Sequence, residues 1–174
     1  GTDIDGRTGE SFSDIYKTRI DKKGKWRSPI PEVETINTEA NEGALYLNER
    51  GSIMYFTKCK VEKKKQLGCE IYVSQRKGKL WGEVKKLQIK VDSGITVGHP
   101  AVTNDEGMIF FSSDKKGGYG GKDIWVVQKE KRNQWSNPMN LGPAINTVGD
   151  EMFPFIHSDG TLYFASDGHI GMGG

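Results

Sequence analysis

The chain has 174 residues, of which 34% are hydrophobic and 23 are glycine, with a mean hydropathy of −0.62. That composition suits many short strands joined by turns and argues against a helix bundle. The 25 Lys+Arg nearly balance 23 Asp+Glu, and a formal net charge of +2 gives no electrostatic reason to expect a nucleic acid partner. The basic residues gather in short runs at Asp21–Lys25, Lys63–Lys65 and Lys129–Arg132, which read as solvated loop tips. No apolar run approaches the roughly 20 residues of a membrane span, and no signal peptide is evident. The chain opens Gly1-Thr2-Asp3 without a Met and reads as beginning within a domain.

Taken in order, the chain repeats itself. Asp14-Ile15-Tyr16 returns as Glu70-Ile71-Tyr72 and Asp123-Ile124-Trp125. Trp26 returns as Trp81 and Trp135, at spacings of 55 and 54. Ile36-Asn37-Thr38 returns as Val91-Asp92-Ser93 and Ile145-Asn146-Thr147, and Tyr55-Phe56 as Phe110-Phe111 and Tyr163-Phe164. Internal repeats of this length decide the architecture before any single motif does.

Each repeat reads as four short strands. Strand one is Leu45–Leu47, Ala101–Thr103 or Phe155–His157. A tight turn at Arg50-Gly51, Glu106-Gly107 or Asp159-Gly160 follows, of the kind that favours hairpins. Strand two is Ile53–Thr57, Met108–Ser112 or Thr161–Ala165. A loop leads to strand three, at Ile15–Ile20, Ile71–Ser74 or Ile124–Gln128. Strand four follows the Trp and ends near Leu87 or Leu141. β-Branched and aromatic residues in runs of this length, bounded by Gly and Asp, are the strand signal.

A single four-stranded sheet cannot bury both faces, so such units stack radially. The expected fold is all-β, a β-propeller fragment of four-stranded antiparallel blades. In the tryptophan frame, 1–24 is the second half of a preceding blade, 25–79 and 80–134 are repeats, and 135–174 is a repeat cut in its glycine-rich loop. Two whole blades and two half blades result. The half blades are expected to be completed by another copy, giving six blades from two chains, or by the rest of a parent protein. Trp26, Trp81, Trp135, Phe56, Phe111 and Phe164 are expected to pack between blades rather than to stack on a ligand.

The loop Ser112–Trp125 carries Gly117, Gly118, Gly120 and Gly121 between Asp114 and Asp123, and Asp167 opens the next copy. It lies between strands, with no helix N-terminus to cradle a phosphate. Its aspartates are expected to cap loop amides; a small Ca²⁺ clip is the other reading, although two carboxylates are few for that ion. In the preceding repeat, Cys59 and Cys69 stand where Asp114 and Lys122 stand. Their places flank one loop on neighbouring strands, which predicts a disulfide and an oxidising compartment, with two buried free thiols as the alternative.

His99, His157 and His169 have no carboxylate partner at a regular spacing and are expected to be structural. No nucleophile elbow or His-Glu-x-x-His motif is present, and no catalytic residue, metal ligand or cofactor is expected. Asp92, Asp150 and Glu151 precede strand one, where an enzyme would need acids at the channel mouth.

The segments from Gly98 to Trp125, from Ile145 to Gly174 and from Met54 to Ser74 resemble the TolB-like, WD-type propeller repeats of OmpA-family proteins of Bacteroidota, including those of the type IX secretion system. The resemblance covers about 12–174. It implies a periplasmic, outer-membrane-associated, lipid-anchored protein whose propeller holds protein partners of the cell envelope. It also implies that peptidoglycan is bound only through a separate OmpA-like domain. The alternatives are a carbohydrate-binding propeller, using residues such as Tyr119, or one attached to a glycosidase or peptidase.

Overall fold

The computed structural model describes residues 12–62 and 65–171. Residues 1–11 and 172–174, which the repeat assigns to copies of the glycine-rich loop, and the Lys63-Lys64 tip lie outside the described residues.

Among the described residues, twelve strands form four separate sheets. The first holds β1 (Tyr16–Lys17) and β2 (Ile30–Pro31). The second holds β3 (Asn41–Leu47), β4 (Ile53–Glu62), β5 (Lys65–Lys77) and β6 (Leu80–Lys86) in sequential order. The third repeats that order with β7 (Val97–Val102), β8 (Met108–Ser113), β9 (Asp123–Gln128) and β10 (Met139–Asn140). The fourth is β11 (Glu151–Ile156) with β12 (Leu162–Ser166). All pairings are antiparallel. The chain is therefore an all-β stack of blades: strands three and four of one, two whole blades, and strands one and two of another. The sheets are offset from the tryptophan frame, because each Trp sits at the start of a strand four rather than at a blade boundary.

Strand alternation explains the core. Successive side chains point to opposite faces, so adjacent aromatics on strand two serve two neighbouring blades. Phe56 joins Ile15, Ile36, Met54 and Trp81 between the first sheet and the second. Tyr55 points the other way and joins Ile71, Leu87, Val97, Val102, Ile109, Phe111 and Trp135 between the two whole sheets. Phe56 and Phe111 are fully buried, and truncating either to Ala would cost about 3–5 kcal/mol.

Two expectations need correction. Trp26 does not pack between blades but is 64% exposed, whereas Trp81 and Trp135 are buried. Each buried Trp lies against the preceding sheet, and among the described residues no sheet precedes β1–β2. Strand one also begins earlier than Leu45, Ala101 or Phe155, because all three copies run through a β-bulge. The bulge places Ala44 (φ 41°), His99 (φ 54°) and Phe153 (φ 53°) in the left-handed region, a costly place for a residue with a side chain. At the middle copy the bulge meets the neighbouring blade. The His99 amide donates to Thr57 Oγ1 at 2.8 Å. Gly98 makes this approach possible, since a Cβ there would lie 2.9 Å from Thr57 Cγ2.

Candidate functional site: the loop rim

The loops from strand two to three and from strand four to one gather at one end of the blades. In the β7–β10 blade the first of these loops folds around Asp123, which is 1% exposed. Its carboxylate accepts from the Tyr119 amide at 2.6 Å, the Gly120 amide at 3.2 Å and Asn140 Nδ2 at 2.7 Å. Asp114 instead accepts from the Thr96 amide at 2.7 Å, and Asp167 from the Asp150 amide at 2.7 Å. Both tie the end of strand two to the start of strand one in their own blade. Gly118 and Gly121 leave room for the Asp123 and Asp150 carboxylates, and Gly117 takes φ 91°. Gly120 is confined by backbone rather than by a side chain: a Cβ would meet the Thr147 and Gly149 carbonyl oxygens at 2.4 Å. The loop is thereby held against the next blade, where Gly121 N donates to Gly149 O at 2.9 Å and Lys122 N to Asp150 Oδ1 at 2.7 Å.

The β3–β6 blade closes the same connection differently. Cys59 and Cys69 are direct partners on β4 and β5, with Cα atoms 4.0 Å apart, and are joined by a disulfide. Where a loop stands in the sister blade, the strands continue past the bridge to Glu62 and Lys65. A disulfide is compatible with an oxidising location, and no helix among the described residues is long and apolar enough to cross a membrane.

Two polar devices here were not anticipated. Asn37 accepts the Ile15 amide at 2.9 Å and donates to the Ile15 carbonyl at 3.0 Å; Asn146 does the same with Ile124 at 2.7 and 3.0 Å. Each extends its sheet by one side chain beyond strand four. Five residues later a glutamate opens strand one. Glu42 accepts from Thr38 Oγ1 at 2.6 Å and pairs with the buried Lys58 at 3.2 Å. Lys58 Nζ also lies 5.3 Å from the centroid of the Tyr72 ring. Glu151 accepts from Thr147 Oγ1 and Ser166 Oγ, both at 2.6 Å, and from the Thr147 amide at 2.9 Å. Burial pushes the Glu42 carboxyl above its usual value, and Thr38 and Lys58 offset this only in part. Burial also works to raise Glu151, but hydrogen bonds from Ser166 and Thr147 outweigh it and hold that carboxyl below the usual range. A sequence signal existed: Asn-Thr-x-x-x-Glu occurs at 37–42 and 146–151, one step beyond the Ile-Asn-Thr marker. The middle copy has Asp92, Ser93 and Val97 at these places and lacks the glutamate.

Glu151, expected as a carboxylate near a channel mouth, is fully buried and engaged, so it is not available there. Asp92 is exposed, and Asp150 is committed to Lys122. The histidines hold the backbone in place. The His99 ring stacks on Phe153 at 4.1 Å and accepts the Phe153 amide at 3.4 Å; burial, then the charge of Lys122, lowers its pKa. His169 Nε2 lies 2.8 Å from the Ile145 carbonyl oxygen. His157 lies 3.0 Å from Asp159, whose pKa is pulled down to about 2, chiefly by the Thr161 amide. Tyr119 is half-exposed at the loop tip. Phe164 is only half-buried, against the fully buried Phe56 and Phe111.

An open groove of about 1320 Å³ runs along the rim between the first sheet and the disulfide-bonded one. Asp14, Tyr16, Glu32, Thr38, Lys58 and Tyr72 contribute to its walls. Aromatic faces beside fixed donors and acceptors suit an extended polypeptide better than a small apolar ligand. Among the described residues no group of three or more His, Cys, Asp and Glu is placed to hold a metal ion.

Strand order, repeated loop and packing define a stack of β-propeller blades. No family model matches the chain, and no curated protein matches it.

Proposed function

We propose that this chain is part of a non-catalytic β-propeller that holds protein partners in the periplasm at the outer membrane, within an OmpA-family protein of the type IX secretion system. The observation that carries the reading is the rim groove beside the disulfide-braced hairpin, an open, mixed aromatic and polar surface next to a covalently fixed edge. The resemblance of the repeats to those of OmpA-family propellers supplies the compartment and the class of partner. In this reading peptidoglycan is reached through a separate domain, and the propeller needs no cofactor.

The test is a pull-down from envelope extract with the disulfide-intact protein, beside a Tyr16→Ala/Tyr72→Glu variant of the groove. Recovery of secretion-system membrane components that falls at least tenfold with the variant is the expected result. Equal recovery by both proteins, or none by either, overturns the proposal. Glycan binding lost on Tyr119→Ala would favour a carbohydrate-binding propeller instead.

A further inference from the structure

The turns from strand one to two and from strand three to four lie at the end of the blades opposite the groove. In the two whole blades hydrogen bonds hold these turns level. Across the blade boundary Asn48 Nδ2 donates to Glu106 Oε1 at 3.0 Å and Asn104 Nδ2 to Glu49 Oε1 at 2.8 Å. Within each blade the outer turn is tied to the inner one: Arg76 N donates to Ser52 O and Lys129 N to Gly107 O, both at 2.8 Å. Charge is sorted between the two rows. On the inner turns, beside Arg50, the acids Glu49, Asp105 and Glu106 are engaged by Asn104, by Thr103 with the Gly107 amide, and by Asn48. The outer turns carry bases: Lys77 and Lys79 in one whole blade, Lys131 and Arg132 in the next, and Lys22 and Lys23 in the first sheet. All six are exposed, and no ion pair among the described residues holds any of them. Of the two acids in these turns, Glu130 and Asp21, the second is committed to the Lys23 and Lys25 amides.

Apolar side chains stand among these bases. Leu80, directly after Lys79, is 66% exposed. Ile20, just before the first turn, is 55% exposed. Its exposure belongs to the position and not to the place of the first sheet in the stack. Ile20 pairs with Trp26 as Arg76 pairs with Trp81 and Lys129 with Trp135, and both of those equivalents are exposed in whole blades.

We propose that this outer row of turns docks on an anionic lipid surface, with the basic heads at the headgroup phosphates and Leu80 and Ile20 entering the boundary beneath them. Sheets stacked face to face lie about 10 Å apart, so the charges recur along one rim instead of converging on a single ligand. Five of the six bases are Lys, a point charge without the fork that Arg offers to one carboxylate. Exposed aliphatic tips between the cations fit a lipid boundary, which a soluble polyanion does not have. Docking by this rim turns the groove rim away from the lipid. The inference therefore goes beyond the proposed function, and neither depends on the other.

The test is flotation of the disulfide-intact chain with vesicles of equimolar phosphatidylglycerol and phosphatidylcholine, beside vesicles of phosphatidylcholine alone. Binding to the anionic vesicles only, weakened by added salt, is the expected result. Lys77→Gln/Lys79→Gln should weaken it at least tenfold. Lys90→Gln/Lys116→Gln removes the same charge from exposed positions on the groove-rim connections and should change it less than twofold. Leu80→Ser should weaken vesicle binding at least threefold while leaving the β-sheet spectrum unchanged. No flotation with anionic vesicles, an equal loss from the two lysine pairs, or full binding by Leu80→Ser would overturn the proposal. Binding to polyglutamate without binding to vesicles would overturn it in favour of an acidic polymer.

Discussion

The two whole blades make the same connection by different physics. Between β8 and β9 a short loop is organised around one buried carboxylate and pressed onto the next blade through Gly120. Between β4 and β5 a covalent bridge replaces that carboxylate, and the strands run on past it. The first solution stabilises the folded state through charge-assisted hydrogen bonds that fix the loop amides on one buried carboxylate. The second, in the chain-entropy view, acts mainly by restricting the unfolded chain. One therefore depends on local geometry, and the other on redox conditions.

The largest expected effect breaks the first solution. Asp123→Ala removes the acceptor of two loop amides and of Asn140 Nδ2, and should cost about 3–4 kcal/mol, at a little over about 1 kcal/mol for each of the three lost bonds. Urea unfolding measures it, and the loss should be the same with and without reductant. Reducing the Cys59–Cys69 bridge comes next. Its sequence separation of 10 corresponds to about 3 kcal/mol on the loop-entropy relation. Amide exchange should then show the Tyr119 and Gly120 amides unchanged. Gly120→Ala should cost about 1–3 kcal/mol, the range for overpacking, because its Cβ meets backbone rather than a flexible side chain.

A smaller effect separates the two rim glutamates. The Glu42 carboxyl lies above its ordinary value of 4.5 in the folded chain, so its contribution is present below pH 4.5 and is lost as pH rises through the folded value. The Glu151 carboxyl lies below 4.5, so its contribution is present above pH 4.5 and is lost as pH falls through the folded value. NMR titration of the two side-chain carboxyl carbons should place their midpoints on opposite sides of 4.5, and Glu151→Gln should flatten the stability profile on the acid side.

The sequence displays the blade because its markers are periodic and each has a local cause. Tyr55-Phe56 and its copies recur because strand two serves two cores. Trp81 and Trp135 recur because strand four begins against the preceding sheet. The cysteines could be paired because the repeat alignment superposes them on Asp114 and Lys122. What the sequence leaves hidden depends on the third dimension. A left-handed Ala44, His99 or Phe153 has no composition signal, and at His99 the bulge amide meets Thr57 of the neighbouring blade, a contact between residues 42 apart in sequence. The burial of Glu151 is equally silent, because an acid before a strand reads as solvated until Thr147 and Ser166 are seen to enclose it. The exposure of Trp26 follows from its place in the stack, which its own surroundings in sequence do not reveal.

The clasped loop and the disulfide hairpin close the same blade unit and should be interchangeable. A chain with residues 59–70 replaced by 114–123 tests it directly, by thermal unfolding followed by circular dichroism with and without reductant. The expected result is an unchanged β-sheet spectrum, a single cooperative transition, and a midpoint that reductant no longer shifts. A chain that loses its cooperative transition on receiving the loop would contradict it.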